Sequence, residues 1–271
     1  MALPEYGRVV FAKSPLRLVV GQVRFPIMLR FGESGFLAPF HQALRSEYPH
    51  IARENQVTLA LSPKGLQQGI GAELMRFSTR DGRLSVVVGE TAITLEAQRR
   101  SPEEPFGYLT ADDFLGRFEH VLSVAQETLG ITERARVGLR YVNEVRHPEA
   151  ASLEEWGRLL NPSFVGFAAT DLLEGEVSHV LQEVQIQRSD GILAIRHGLL
   201  TGAVVDASAA ETRAAGPFYL IDMDYFDPSE RPLEVQSTVS QMRAFNDTMY
   251  RFFRWTLGDA LYNHLEPSRA D

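Results

Sequence analysis

Two Asp-Gly dipeptides constrain this chain more than any other feature. "FSTRDGRLSVVVG" turns at Asp81-Gly82, and "QIQRSDGILAIRHG" turns at Asp190-Gly191. Asp-Gly between alternating apolar residues is a strong hairpin signal, because a two-residue turn demands backbone angles that these residues tolerate. Each dipeptide therefore predicts a pair of adjacent antiparallel strands, one pair in each half of the chain.

Further elements group around the hairpins. "PLRLVVGQVRF" (Pro15 to Phe25) and "QVTLALS" are rich in β-branched residues and predict strands. "FLAPFHQALRSEY" predicts a helix with Leu37, Phe40 and Leu44 on one stripe, Pro39 in its first turn and Pro49 past its end. The clearest helix starts at Thr110, a good N-cap, with Asp112 and Asp113 in the positively polarised first turn. Phe114, Phe118, Val121, Leu122, Ala125 and Leu129 share one face of it, and Gly130 ends it. "RARVGLRYVNEV" predicts a strand. Ser152 and Glu155 have capping-box spacing and open a short helix that stops near Asn161-Pro162. "GLQQGIG" (Gly65, Gly69, Gly71) and "TGAVVDASAAETRAAG" predict loops, the second a mobile one. "PFYLIDMDYF" predicts the last strand. A long helix from about Leu233 to Leu265 then carries Val239, Met242, Phe245 (or Asn246), Met249, Phe253 and Leu257 roughly on one stripe.

The order is β-α-β-β-β-α, twice over. It lacks strict βαβ alternation and so predicts an α+β fold, antiparallel sheet backed by helices with a long C-terminal helix. The units are 1–130 and 131–271, expected to pack as one compact body. Similar hairpins, and the leading strands "VVGQVRF" and "RVGLRYVN", suggest an internal duplication; chance similarity of two ordinary hairpins is the alternative. Aligning Gly21 with Gly138, or Arg24 with Arg140, gives registers one residue apart, and one residue exchanges the faces of a strand.

Composition limits the function classes. The chain has 271 residues, ordinary for one large domain or two smaller ones. Cysteine is absent, which removes disulfides, thiolate metal sites and cysteine nucleophiles. Asp and Glu outnumber Lys and Arg, 35 to 27. That balance speaks against nucleic acid as partner, since phosphate neutralisation dominates such binding. No apolar run approaches a membrane span, and the start of the chain lacks the order of a signal peptide. A cytoplasmic protein without a membrane partner is expected.

"SPLRLVVGQVRFP", "RFSTRDGRLSVVVGETAITLEA", "GLRYVN", "YLIDMDYF" and "FNDTMYRFFRWTLGDALYNHL" occur in this order along nearly the whole chain. In these the chain resembles a sporadically distributed family of prokaryotic proteins of similar length. The resemblance implies the architecture and cellular context above, and carries over no catalytic residue, cofactor or ligand set. Gly258, before Asp259 in the closing helix, stands where a better helix former is expected.

The first chemical candidate is Asp222 with Asp224, two apart and so on one strand face. Buried carboxylates need partners or they protonate. A metal would require a third ligand, and none is apparent. Arginine is the other partner: "RVGLRYVNEV" places Arg136, Arg140 and Glu144 on one face, and Arg140 can fork to a carboxylate. Arg140, Asp222 and Asp224 are therefore read as a structural ion pair, with solvated aspartates as the alternative. The seven histidines show no ligand spacing, and neither a nucleophile elbow nor a P-loop is present. His197, Arg140 and Tyr141 could serve a metal-free nuclease, though no spacing requires it.

The terminal helix carries Phe245, Tyr250, Arg251, Phe252, Arg254 and Trp255 on more than one side. Core packing explains such a helix; a partner or self-association interface is the second explanation. The reading that results is a non-enzymatic binding protein acting through a protein partner or self-association, without metal or cofactor. The alternatives are a metal-dependent or His/Arg-dependent phosphoester hydrolase, and a small-ligand pocket between sheet and terminal helix.

Overall fold

The structure, a computed structural model, describes residues 3–62, 65–99, 106, 108, 110–166, 177, 179–200 and 216–269, with backbone alone over 56–62 and 65–71. In chain order the elements are β1 (Val9–Phe11), β2 (Leu16–Arg24), α1 (Ala38–Leu44), β3 (His50–Ser62), β4 (Gly65–Ser78), β5 (Leu84–Val88), β6 (Ala92–Gln98), α2 (Ala111–Leu129), β7 (Glu133–Arg134) and β8 (Arg136–Val145). Then follow α3 (Leu153–Leu159), α4 (Pro162–Val165), β9 (Gln182–Arg188), β10 (Gly191–Leu200), β11 (Phe218–Asp227), β12 (Arg231–Pro232), α5 (Val235–Thr256), α6 (Asp259–His264) and β13 (Pro267–Arg269). Nine strands form a sheet in the order β3-β4-β5-β6-β2-β8-β11-β10-β9. The fold is α+β. Both hairpins are antiparallel: Ser78 pairs with Ser85 across the turn holding Asp81-Gly82, but in the second Arg188 pairs with Gly191, so the turn residues are Ser189-Asp190 and Gly191 already belongs to β10.

The helix signals act as expected. Thr110 Oγ1 accepts the Asp113 N–H at 3.1 Å, and Ser152 and Glu155 form the reciprocal capping box. Two expectations are corrected. "GLQQGIG" is strand, not loop: it opens β4, which runs on through "AELMRFS", and pairs with β3. With β6 counted, four strands follow α1 where the repeated pattern has three. The terminal helix is also broken, ending at Thr256 and restarting at Asp259. Gly258 explains the break. Its N–H donates to Leu159 O at 2.9 Å, and a Cβ there would lie 2.7 Å from that oxygen. Only glycine lets the two backbones approach so closely. The segment "TGAVVDASAAETRAAG" lies outside the described residues up to its final Gly216.

The chain divides into two compact units that interleave in sequence. One comprises Val19–Leu139 and Phe226–Arg243. Its core includes buried residues of β5, such as Val86 and Val88, and the apolar stripe of α2. Gly21 lies under that stripe, where a Cβ would sit 3.1 to 3.2 Å from Phe118, Met242 and Phe114. The other unit comprises Met1–Leu18, Arg140–Tyr225 and Ala244–Asp271. Its core holds Trp156, Tyr219, Tyr225 and Phe245, all fully buried. Tyr225 stacks on Phe245 with ring centroids 4.2 Å apart. Among the described residues no helix is long and apolar enough to cross a membrane.

Candidate functional site

Strand alternation determines where the predicted polar cluster sits. In β11 the odd-numbered positions from Tyr219 to Asp227 are all buried, and Asp222 and Asp224 lie on the opposite, half-open face. Arg140 projects from the equivalent face of β8 and meets Asp222 in a fork. Its Nε donates to Oδ1 and its terminal nitrogen to Oδ2, both at 2.7 Å. The Asp222 side chain is 6% exposed and that of Arg140 38%. Hydrogen bonds donated to Asp222 hold the Arg140 guanidinium above its ordinary pKa; burial opposes this, and the charges of Asp222 and Asp224 add to it. Arg196 stands 4.0 Å from the same carboxylate while it bonds Glu183 at 3.1 Å. The cluster is a bidentate latch. Among the described residues no group of three His, Asp or Glu side chains gathers as a metal site would require.

The three residues available to a metal-free nuclease go separate ways. Arg140 is held by Asp222. Tyr141 donates to Asn246 Oδ1 at 3.0 Å. His197 is buried, 3.0 Å from the Tyr219 hydroxyl and stacked on Phe164 at 3.9 Å. Burial pushes the His197 pKa down to about 4, so the ring is neutral at pH 7.

Most of the polar and aromatic candidates on α5 are engaged within the chain. Phe245 is core. The Tyr250 hydroxyl donates to Gly7 O at 2.7 Å, and Arg8 lies over its ring. Arg254 stacks on Tyr262 at 3.6 Å with Tyr6 at 5.2 Å. Phe252 and Trp255 both meet Phe164 edge to face. Arg251 is half-exposed, 4.0 Å from Glu5.

Two features escape the sequence reading. The first is β9, terminal in the strand order. Ile186 faces Leu193 and Val184 faces Ile195 across the hairpin. Residues directly opposite share a face, so Val184 and Ile186 belong to the core side. Leu193 and Ile195 are buried there, each 2% exposed, whereas Val184 and Ile186 are 46% and 40% exposed. Among the described residues the covering layer thus reaches β10 and stops short of β9. The alternation in "QEVQIQR" signals the strand, but not that its apolar face overhangs. The second feature is a cleft of about 520 Å³ lined by Lys13, Arg146, His147 and His264. These residues come from three distant stretches of one unit, and no local spacing links them.

No family model, curated protein or solved structure matches the chain.

Proposed function

We propose that the chain is a non-enzymatic cytoplasmic binding protein that acts by self-association, with β9 as the contact and a second copy as its occupant. The observation that carries the reading is the overhang of Val184 and Ile186 on the core side of a terminal strand. Natural edge strands are blunted by Lys, Pro or bulges; "QEVQIQR" has no Lys or Pro, and its register with β10 is unbroken. A second copy fits by symmetry. Two β9 strands paired antiparallel about Gln185 set Val184 opposite the second copy's Ile186, and Ile186 opposite its Val184. Glu183 then meets Gln187 and Gln182 meets Arg188, so like charges never face each other. Four apolar side chains leave water together. The engagement of Arg140, Tyr141 and His197 in separate contacts supports a binding reading over a hydrolytic one.

Sedimentation velocity tests the proposal. The chain is expected to run as a dimer, and the Ile186→Lys variant as a folded monomer, because the side chain is exposed. A wild-type chain that stays monomeric at its highest soluble concentration sinks self-association. A dimer indifferent to Ile186→Lys sinks β9 as its contact.

A further inference from the structure

The cleft beside the end of β8 gathers cationic groups in an acidic protein. Lys13 comes from the stretch between β1 and β2, Arg146 and His147 directly follow β8, and His264 ends α6. The two imidazole rings lie 4.4 Å apart, tilted by 57°. His147 Nδ1 accepts the Glu149 N–H at 3.2 Å, so in the neutral ring Nε2 carries the proton and is a donor. Among the described residues the His264 ring has no hydrogen bond. Arg146 is held in advance: its Nε, at 2.8 Å, and one terminal nitrogen both donate to Glu144, the other terminal nitrogen donates to Gly216 O at 2.9 Å, and Phe218 lies beneath the guanidinium at 5.1 Å; each terminal nitrogen keeps a second N–H for a ligand. Lys13 pairs with Glu266 at 2.7 Å while both remain half-exposed, so its ammonium has room for a second acceptor.

Lys13 and Arg146 are each paired with a carboxylate, and the histidines add positive charge to the group only when protonated. Burial, then the neighbouring His147 and Lys13, pull the His264 pKa below its ordinary value, with Glu266 opposing. An anion relieves the repulsion from His147 and Lys13 and adds charge-assisted hydrogen bonds. The volume exceeds what a bare ion fills, and Pro148 and Pro217 give the wall an apolar part.

We propose that this cleft binds a small organic phosphate, with Lys13, Arg146, His147 and His264 donating to the phosphate group and the proline wall receiving its carbon portion. A phosphate dianion suits four convergent donors better than a carboxylate, which offers two oxygens and one charge. The charged groups facing His264 are His147, Lys13 and Glu266, with the Arg146–Glu144 pair beside them. Bound phosphate stabilises the protonated ring, so binding strengthens as pH falls through the His264 titration.

The test is nitrogen-edited NMR of the histidine rings in the full chain, titrated at slightly acidic pH with inorganic phosphate, phenyl phosphate and acetate. The His147 and His264 signals are expected to shift saturably with both phosphates, more tightly with phenyl phosphate, and the His264 midpoint to rise. Lys13→Gln, at an exposed site that leaves the fold intact, is expected to weaken phosphate about tenfold, the scale of one charge-assisted hydrogen bond. His264→Gln should act in the same direction. Shifts that stay linear with added phosphate overturn the proposal. So does acetate binding as tightly as phosphate, or a Lys13→Gln chain that binds phosphate unchanged.

Discussion

Two Arg–Asp pairs draw on the same two stretches of sequence and solve opposite problems. "RARVGLRYVNEV" supplies Arg134 and Arg140, and "LIDMDYFD" supplies Asp227 and Asp222. Arg140 and Asp222 meet on a half-open sheet face through two hydrogen bonds of 2.7 Å. Arg134 and Asp227 are each 5% exposed and meet at 3.3 Å. Gln241 bridges them, accepting from Arg134 and donating to Asp227, both at 2.9 Å, while Arg231 stands 3.8 Å from the carboxylate. One terminal nitrogen of Arg134 is buried without a hydrogen bond. Burial pulls the Arg134 guanidinium below its ordinary value, whereas hydrogen bonding lifts that of Arg140. The fork outweighs the desolvation of its arginine; in the deep pair desolvation prevails over the attraction of Asp227, and Arg231 adds to it.

The largest expected effect comes from breaking the deep pair. Asp227→Ala leaves Arg134 charged and buried without its main counter-charge, which costs about 3–5 kcal/mol of stability. Urea unfolding measures it; a loss below about 1 kcal/mol would mean that Gln241 and solvent, not the aspartate, satisfy Arg134. The pair also sets a pH dependence. Burial raises the Asp227 pKa, but hydrogen bonds from Ser229 and Gln241, with Arg134, outweigh it and hold the carboxyl below the ordinary aspartate value. A depressed folded-state pKa adds stability that is complete above the unfolded aspartate range and is lost as pH falls through the folded value. Asp227→Asn should therefore flatten the acid limb of a stability–pH profile. An unchanged limb would show that other carboxylates set it.

Arg140→Ala is the next rung. It strands Asp222, almost fully buried, and removes two hydrogen bonds to a charged group, for about 2–3 kcal/mol. Replacing both partners by apolar residues should recover most of that loss, since a fork on a half-open face serves chiefly to satisfy its own groups. A double variant as unstable as Arg140→Ala would mean that the carboxylate does more than answer the arginine.

The contrast also shows how far the sequence could be read. The fork follows from parity: Asp222 and Arg140 sit on regular strands whose polar faces are visible as patterns of two. Parity also resolves the alignment of the two leading strands. Gly21 lies under the α2 stripe, while Gly138 lies on the open face beneath the Arg136 guanidinium, so Arg24 with Arg140 is the alignment that preserves faces. The deep pair was not legible. Arg134 has the parity of Arg140, but β7 ends before Ala135 and β8 begins after it, which releases Arg134 from that face. Its bridge, Gln241, comes from a helix more than a hundred residues later. The break at Gly258 was half visible, as a poor helix former whose reason is the backbone of Leu159. The cleft and the β9 overhang depend on which elements cover which, and a one-dimensional pattern does not encode that.

The smallest effect probes the fork most finely. Arg196 pairs with Glu183 where both side chains are 48% exposed, and it reaches to 4.0 Å from Asp222. Alone, Arg196→Ala should cost about 0–1 kcal/mol, the worth of an exposed pair. In the Arg140→Ala background the stranded carboxylate has Arg196 as its nearest remaining cation, and a modest swing of that side chain brings it into contact. The same substitution should then cost more by about 0.5–1.5 kcal/mol, a coupling read directly from the double-mutant cycle. If the two losses simply add, Arg196 belongs to Glu183 alone and the fork stands without a reserve. If they couple, the open face tolerates loss of its principal arginine because a second one is in reach, as Arg231 is for Asp227 in the deep pair.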